Sequence, residues 1–252
     1  MTKKIALITG ASSGIGWATA EVLAQQGFRL ILCGRRAERL ETLAQKLLDQ
    51  TESKTLVFDV RDREAVVRAW ASLPEAWQSV HVLINNAGNA HGLDFIQEGQ
   101  LEDWEAMLDI NVKGLLYVSQ VVIPQMVARQ EGHILNIGSL AGKEVYPKGN
   151  VYCASKHAVD ALTQGMRMDL YKQGIRVSAV NPGLVATEFS EVRFKGDAER
   201  AKKVYEGYAP LLARDIAEVI AFVVSRPAHV NIADLLVLPT AQAASYLVNR
   251  GE

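Results

Sequence analysis

Short apolar runs rich in β-branched residues alternate along this chain with longer segments whose apolar positions recur at helical spacing. The runs 5–9, 29–33, 55–58, 80–84, 133–137, 176–180 and 235–238 predict strands, and the segments 15–26, 37–48, 63–73, 101–129, 151–172 and 215–224 predict helices. Strands separated by helices of this length imply β-α-β units, because parallel neighbours need a crossover connection. Such strands are covered on both faces, which suits the unbroken apolar triplets Leu30-Ile31-Leu32 and Val82-Leu83-Ile84. The pattern predicts a single α/β domain over residues 1–252, built on a doubly wound parallel sheet of about seven strands flanked by helices.

One stretch breaks the rhythm. Residues 184–212 carry little clean β pattern, several charges, and Gly196, Gly207 and Pro210. An insertion of this length in a compact domain reads as a lid or a segment that orders on binding.

Bulk properties narrow the function classes. With 252 residues, 49% of them hydrophobic, the chain can bury a large core, which excludes a disordered protein. A formal net charge of -1 offers no basic excess for nucleic acid or an anionic membrane. The strand-like run at 5–9 is too short for a signal core, and no stretch approaches the ~20 apolar residues that span a bilayer. Cys33 and Cys153 lack metal or redox spacing and read as two reduced thiols of a cytoplasmic protein.

Chemistry begins after the first strand. Thr9-Gly10-Ala11-Ser12-Ser13-Gly14-Ile15-Gly16 is a glycine-rich turn that runs into a helix. Glycines let backbone approach a pyrophosphate, and the helix start offers unpaired N–H groups and a positive dipole end, as in a Rossmann dinucleotide site. In NAD-binding proteins an acidic residue ~20 positions on takes the ribose hydroxyls. Here Arg35 and Arg36 follow the second strand instead, and guanidinium forks suit a 2′-phosphate, so the predicted cofactor is NADP. Asp59 reads either as an acceptor for an adenine amino group or as part of the next helix's N-cap. Asn85-Asn86-Ala87-Gly88 ends the fourth strand with small residues that let a cofactor lie against the sheet edge.

Tyr152 and Lys156 form an i, i+4 pair on one helix face. A lysine ammonium beside a phenol, with an oxidised nicotinamide nearby, favours phenolate and predicts a lowered Tyr152 pKa. Tyr152 can then exchange a proton with a substrate oxygen while hydride moves. Lys156 can also bind the nicotinamide ribose, and Ser139, at the end of the fifth strand, is placed to bond the same substrate oxygen. A Tyr-x-x-x-Lys spacing alone is a poor signal; its force comes from the turn, the asparagine pair and the serine in this order.

Together these motifs resemble the short-chain dehydrogenase/reductase family over nearly the whole chain, on Thr9-Gly10-x-x-x-Gly14-x-Gly16, Asn85-Asn86-Ala87-Gly88, Asn111, Ser139, Tyr152-x-x-x-Lys156 and Pro182-Gly183-x-x-x-Thr187. The resemblance implies that Asn111 holds a water linking Lys156 to solvent and that Thr187 contacts the nicotinamide carboxamide. It implies phosphate and adenosine contacts from Gly10, Ser12, Ser13, Gly14, Ile15, Gly16, Arg35 and Arg36, with Asp59 and Val60 beyond them. It also implies nicotinamide-side contacts from Asn86, Ala87, Gly88, Tyr152, Lys156, Pro182, Gly183, Val185 and Thr187. The stretches 73–77, 149–152, 188–197 and 227–232 are similar to the subfamily of NADP-dependent 3-hydroxy acid dehydrogenases, also described as serine or L-allo-threonine dehydrogenases. That similarity implies short 3-hydroxy acids as substrates, malonic semialdehyde reduction among the reactions, and a homotetramer built on the long helices.

A small hydroxy acid needs a cation for its carboxylate. Arg193, in the predicted lid beside Phe189 and Phe194, is one candidate substrate residue with Ser139 and Tyr152; Lys143 and Lys148 are rivals. A lid arginine paired at the surface or at a subunit contact is the alternative. His91 can line the pocket mouth, while His81, His133 and His229 lack metal-ligand spacing. Other reductases of the family, acting on 3-oxoacyl carrier protein, diketones or steroids, share this cofactor chemistry. A sensor that binds NADPH without turnover is expected to lose the Tyr-Lys pair, which is present here.

Overall fold

A computed structural model describes residues 3–251. Seven strands form one sheet: β1 (Ile5–Thr9), β2 (Arg29–Gly34), β3 (Ser53–Val57), β4 (Val80–Asn85), β5 (Gly132–Ile137), β6 (Ile175–Pro182) and β7 (Asp234–Val237). Their order is β3-β2-β1-β4-β5-β6-β7 and every pairing is parallel. The main helices are α1 (Gly14–Gln25), α2 (Ala37–Lys46), α3 (Arg63–Ala71), α4 (Leu101–Arg129), α5 (Asn150–Leu170) and α6 (Ala213–Val224). Strand order reverses between β1 and β4, so the crevice for a ligand opens at the carboxyl ends of these two strands.

Alternation along the strands builds the two cores. On β1, Ala6 and Ile8 face a layer with Leu30, Leu32, Leu23 of α1, Leu40 of α2 and Ile216 and Ile220 of α6. Ile5 and Leu7 face the other layer with Ile31, Leu83, Val66 of α3, and Val118, Val122 and Met126 of α4. Each fully buried aliphatic side chain contributes about 1.5–3 kcal/mol relative to exposure. This rigid double layer fixes the strand ends on which the site residues sit.

The structure departs from the sequence pattern at informative places. Strands β2, β4 and β6 run on to Gly34, Asn85 and Pro182, because the residues that end them still pair in the sheet. The helix over 101–129 is not regular: Asp109–Gly114 forms a π-helical turn, and Pro124 lies inside the following α-helical part. This helix is also long and apolar enough to cross a membrane by length and composition, which the sequence reading had not found. Its Val118, Val122 and Met126 are instead buried against the sheet. The helix over 151–172 ends at Leu170 and tightens into a 3₁₀ turn, Tyr171–Gln173, before Gly174. The segment 184–212 holds two short helices, Phe189–Arg193 and Ala198–Lys203, and closes at its base through a parallel pairing of Val185–Ala186 with Leu211–Leu212.

Candidate active site

A cleft of about 800 Å³ runs along the carboxyl ends of the strands. It is lined by Gly10, Ser12, Ser13, Gly14, Ile15, Arg35, Arg36, Asp59, Val60, Asn86, Ala87, Gly88, Ser139, Tyr152, Lys156, Pro182, Gly183, Val185, Thr187 and Arg193. Two expected site residues stand behind its wall. A Cβ at Gly16 would overlap the Gly10 carbonyl oxygen and approach Asn86 Nδ2, so this glycine lets α1 pack onto the turn and does not face the cleft. Asn111 is the second.

The turn is braced by the asparagine motif. Asn86 Nδ2 donates to the Thr9 carbonyl (2.8 Å), and Thr9 Oγ1 accepts from the backbone N–H groups of Asn86 (3.0 Å) and Ala87 (2.9 Å). Gly10 and Gly14 hold positive φ of 66° and 53°, which L side chains rarely adopt. Ser13 precedes α1 without a side-chain cap, so no capping hydroxyl occupies the first N–H groups of the helix. A cradle of bare backbone donors, approached by residues without bulk, fits a pyrophosphate.

At the far end, Arg35 Nη1 lies 3.7 Å from Asp59. Arg61 takes Asp59 more tightly, with Nε 3.1 Å from both carboxylate oxygens and Nη2 2.7 Å from Oδ2. Burial alone would raise the Asp59 carboxyl, but the Arg61 contacts hold it below its ordinary value. Asp59 is thus largely spent on Arg61, and the cap of α3 is Asp62, whose Oδ1 accepts from Ala65 N (2.9 Å). Arg36 donates from Nε to Ser12 Oγ (3.2 Å) and from Nη2 to the Ser12 carbonyl (3.3 Å). Two partners escaped the sequence reading: Arg39, one turn further along α2, and Glu188. The Glu188 carboxylate accepts from Arg36 Nη1 at 2.8 Å and from Arg39 Nη1 at 2.9 Å. Only their distant sequence positions, 36 and 188, hid this pairing.

At the chemical end, Tyr152 and Lys156 are both buried on α5. Lys156 Nζ donates to the Ile137 carbonyl (3.0 Å), and burial pulls its ammonium down to about 8. A Cβ at Gly88 would crowd Asn111 Oδ1 at 2.9 Å and lie 3.5 Å from that ammonium, so the glycine lets the turn pack onto Asn111 beside Lys156. The expected lowering of the Tyr152 phenol is overturned. Burial pushes it well up and the neighbouring Tyr146 adds to this, against the Ser139 hydrogen bond and the Arg193 charge. The physical reason is desolvation: a buried phenol loses more by ionising than Ser139 and Arg193 return. Ser139 Oγ also accepts from Ala141 N (3.0 Å), which fixes the hydroxyl at the end of β5.

Asn111 sits in the π-helical turn. Its Oδ1 accepts from Asn89 N (2.9 Å), and its Nδ2 donates to the Asn89 carbonyl (2.9 Å) and to Ser155 Oγ (3.0 Å). Its side chain therefore ties the loop after β4 to α5, the helix of Tyr152 and Lys156.

Arg193 comes out of the segment 184–212 to the same place. Its Nη1 donates to the Tyr146 hydroxyl (3.0 Å) and its Nε to the Gly92 carbonyl (3.1 Å). The rival cations are elsewhere engaged: Lys143 binds Asp160 (2.6 Å) and Asp234 (3.0 Å), and Lys148 stacks over Phe95. Phe189 packs against Tyr152 with ring centroids 5.7 Å apart. Phe194 also lines the cleft, with the Arg200 guanidinium over its ring at 4.3 Å. His91 meets Asn89 Nδ2 at 2.8 Å, and burial lowers its pKa. The sequence reading also missed the C-terminal tail. Gln242, Ser245 and Tyr246 line the cleft, and Gln242 Oε1 accepts from Leu184 N (2.9 Å) at the base of the lid segment.

A phosphate-binding turn at the sheet's switch point, opposite a buried Tyr-Lys pair and a strand-end serine, defines a nucleotide-linked oxidoreductase. This chain belongs to the short chain dehydrogenase family, whose profile matches residues 4–198. It is 45% identical over 240 residues to the NADP-dependent 3-hydroxy acid dehydrogenase YdfG of Salmonella typhi, covering 95% of this chain and 96% of that protein. It is 44% identical over 248 residues to sulfoacetaldehyde reductase 2 of Chromohalobacter salexigens, covering 98% of both. A closed form of serine dehydrogenase complexed with NADP+ superposes with a TM-score of 0.92 at 43% identity, over 98% of this chain and 100% of that one.

Proposed function

We propose that this chain is an NADP-dependent dehydrogenase that moves hydride between the nicotinamide and the 3-carbon of short 3-hydroxy acids such as serine, allo-threonine and 3-hydroxypropionate. The observation that carries the substrate class is Arg193, a cation of the segment 184–212 with no carboxylate partner among the described residues, beside the phenol of Tyr152 in the cleft. Two of the relatives named above, the 3-hydroxy acid dehydrogenase and the serine dehydrogenase, support this reading by their names, while the third is a reductase of sulfoacetaldehyde.

Bound NADP supplies or accepts the hydride. The turn Gly10–Gly16 holds its pyrophosphate, Arg35 and Arg36 its 2′-phosphate, and Lys156 the nicotinamide ribose. Thr187, Val185 and Pro182-Gly183 wall the nicotinamide side. Tyr152, kept protonated by burial, donates its proton to a carbonyl oxygen during reduction and regains it during oxidation. Ser139 bonds that same oxygen and draws the phenol pKa down. Arg193 takes the substrate carboxylate through two N–H groups, and Phe189 keeps water from the reacting carbon. Asn111 positions the loop after β4 against α5, and the water relay to Lys156 is assigned to it; both its amide N–H donors are engaged, so a water would meet it at an oxygen.

The segment 184–212 acts as the substrate lid over a single domain. The assembly is a homotetramer on the long helices, where Leu108 and Leu116 of α4 and Met168 of α5 present exposed apolar side chains. The buried free thiols of Cys33 and Cys153 suit a cytoplasmic setting.

The test is an absorbance screen of NADP reduction over hydroxy acids and neutral alcohols, repeated with NAD. Sulfoacetaldehyde reduction runs beside it, because a sulfonate also suits Arg193. Faster turnover of 3-hydroxy acids with NADP supports the reading; a preference for neutral alcohols, or for NAD, rejects it.

A further inference from the structure

We propose that Glu188 is a specificity-determining latch: it fastens the lid to the arginine cluster that receives the 2′-phosphate, so that lid docking and retention of a phosphorylated cofactor depend on each other. This deepens the NADP reading above and rests on it.

The contact forms a chain across the cleft mouth. Glu188 follows Thr187 and directly precedes the lid helix Phe189–Arg193. Its two carboxylate oxygens take different arginines, Oε2 from Arg36 (2.8 Å) and Oε1 from Arg39 (2.9 Å). Arg36 holds Ser12 of the phosphate turn with its remaining edge. Lid, guanidinium and phosphate turn are thus joined through one side chain, over a sequence separation of 152 residues. Burial alone would raise the Glu188 carboxyl, but the Arg36 hydrogen bond and charge, with Arg39 behind them, hold it below its ordinary value.

Charge balance decides between sharing and competition. Arg35, Arg36 and Arg39 bring three positive charges to this corner, Glu188 returns one negative charge, and Asp59 is matched by Arg61. The remaining surplus is about the charge of a phosphate monoester near neutral pH, roughly -1.5 to -2. Carboxylate and 2′-phosphate together neutralise the cluster; neither does so alone. Without the phosphate, the half-exposed arginines keep surplus positive charge that only solvent offsets. Other fastenings lie elsewhere: Lys195 to Asp103 (2.9 Å) and Arg193 to the Gly92 carbonyl and the Tyr146 hydroxyl on the substrate side, Gln242 to Leu184 N and Arg250 to the Lys203, Val204 and Glu206 carbonyls at the base. Glu188 is the lid carboxylate, among the described residues, that reaches the phosphate arginines.

The experiment compares the full-length enzyme with Glu188→Gln, Arg39→Gln and the double variant. NADPH release is followed by stopped-flow fluorescence, and the lid is probed by limited trypsin digestion at Arg193, Lys195 and Arg200 with NADP bound. Glu188→Gln is expected to speed NADPH release about fivefold, the scale of two exposed ion pairs, with a smaller effect at high salt. It is expected to leave NADH release within about twofold and to speed lid cleavage. The double variant is expected to release NADPH less fast than the two single effects combined, because the Arg39–Glu188 pair broken by Arg39→Gln is one of the two pairs that Glu188→Gln already breaks. Slower NADPH release in Glu188→Gln would mean that the carboxylate competes with the phosphate, and overturns the proposal. Equal effects on NADPH and NADH, unchanged lid cleavage, or additive single effects overturn it as well. If the unmodified enzyme itself binds NAD and NADP equally, it is the cofactor reading that fails, before any variant is measured.

Discussion

The Arg193 guanidinium lies 5.6 Å from the centre of the Tyr152 ring, and it stands at the same distance from Tyr146. A cation from the segment 184–212 is thereby placed next to the phenol proposed to transfer the proton. On the proposed reading, a substrate carboxylate held by Arg193 would couple recognition of the acid group to proton transfer at Tyr152.

Arg193→Met is expected to raise KM for 3-hydroxy acids about a hundredfold, in line with loss of a charge-assisted two-point contact of ~2–3 kcal/mol. Neutral alcohols are expected to change by no more than about threefold. Steady-state rates on matched acids and alcohols make the comparison; a uniform loss on both would reduce Arg193 to a fastening of the lid.

Tyr152→Phe removes only the hydroxyl. Turnover in both directions is expected to fall about a thousandfold, the scale of a lost general acid–base group, while NADP affinity stays within a fewfold. Absorbance kinetics and fluorescence titration of NADPH separate the two.

Burial keeps the Tyr152 phenol protonated through neutral pH. The protonated form is the donor for carbonyl reduction and the deprotonated form the acceptor for alcohol oxidation. Oxidative kcat/KM is therefore expected to climb steadily from pH 7 into the alkaline range, with reduction holding level near neutrality. The residual rate of Tyr152→Phe is expected to lack that climb.

Lys156 falls from 10.5 to about 8 on folding. Below about pH 8 both states hold the proton, and the folded state bears the full cost of the buried charge, roughly 3 kcal/mol. Between the two values the unfolded chain binds more protons, so stability rises with pH and the cost fades. The Tm of cofactor-free Lys156→Met minus that of the unmodified protein is thus expected to be largest at pH 7 and to shrink towards pH 10. A difference that grows with pH would contradict the buried-ammonium picture.

Arg35 is only loosely held by Asp59, so its guanidinium is free to take a phosphate. Arg35→Leu is expected to raise KM for NADP about tenfold, roughly the 1.4 kcal/mol of one partly exposed charged contact, and to leave KM for NAD nearly unchanged.

Much of this was legible from residue order. The strands and helices show in the apolar spacing, and the glycine turn, the asparagine pair and Tyr152 with Lys156 show as local motifs. What stayed hidden depends on contacts between distant segments. Glu188 on Arg36 and Arg39, Tyr146 on Arg193, and Gln242 under the lid each join positions that no periodicity links. The Tyr152 pKa was misread for a related reason. Spacing brings a lysine near a phenol but is silent on burial, and burial dominates here. Gly16 was read as a ligand contact because it shares the motif, whereas its space is filled by the Gly10 carbonyl.

The π-helical turn Asp109–Gly114 carries one further implication. A wider turn inserts an extra residue and offsets the two halves of α4 by about 100° from regular winding. Asn111 reaches Asn89 and Ser155 while Val118, Val122 and Met126 still point into the core. Deleting a residue to regularise the helix would turn one half away from its partners. Either the brace behind Lys156 or the apolar seam beneath β4 would be lost, so the irregular turn lets one helix serve both ends.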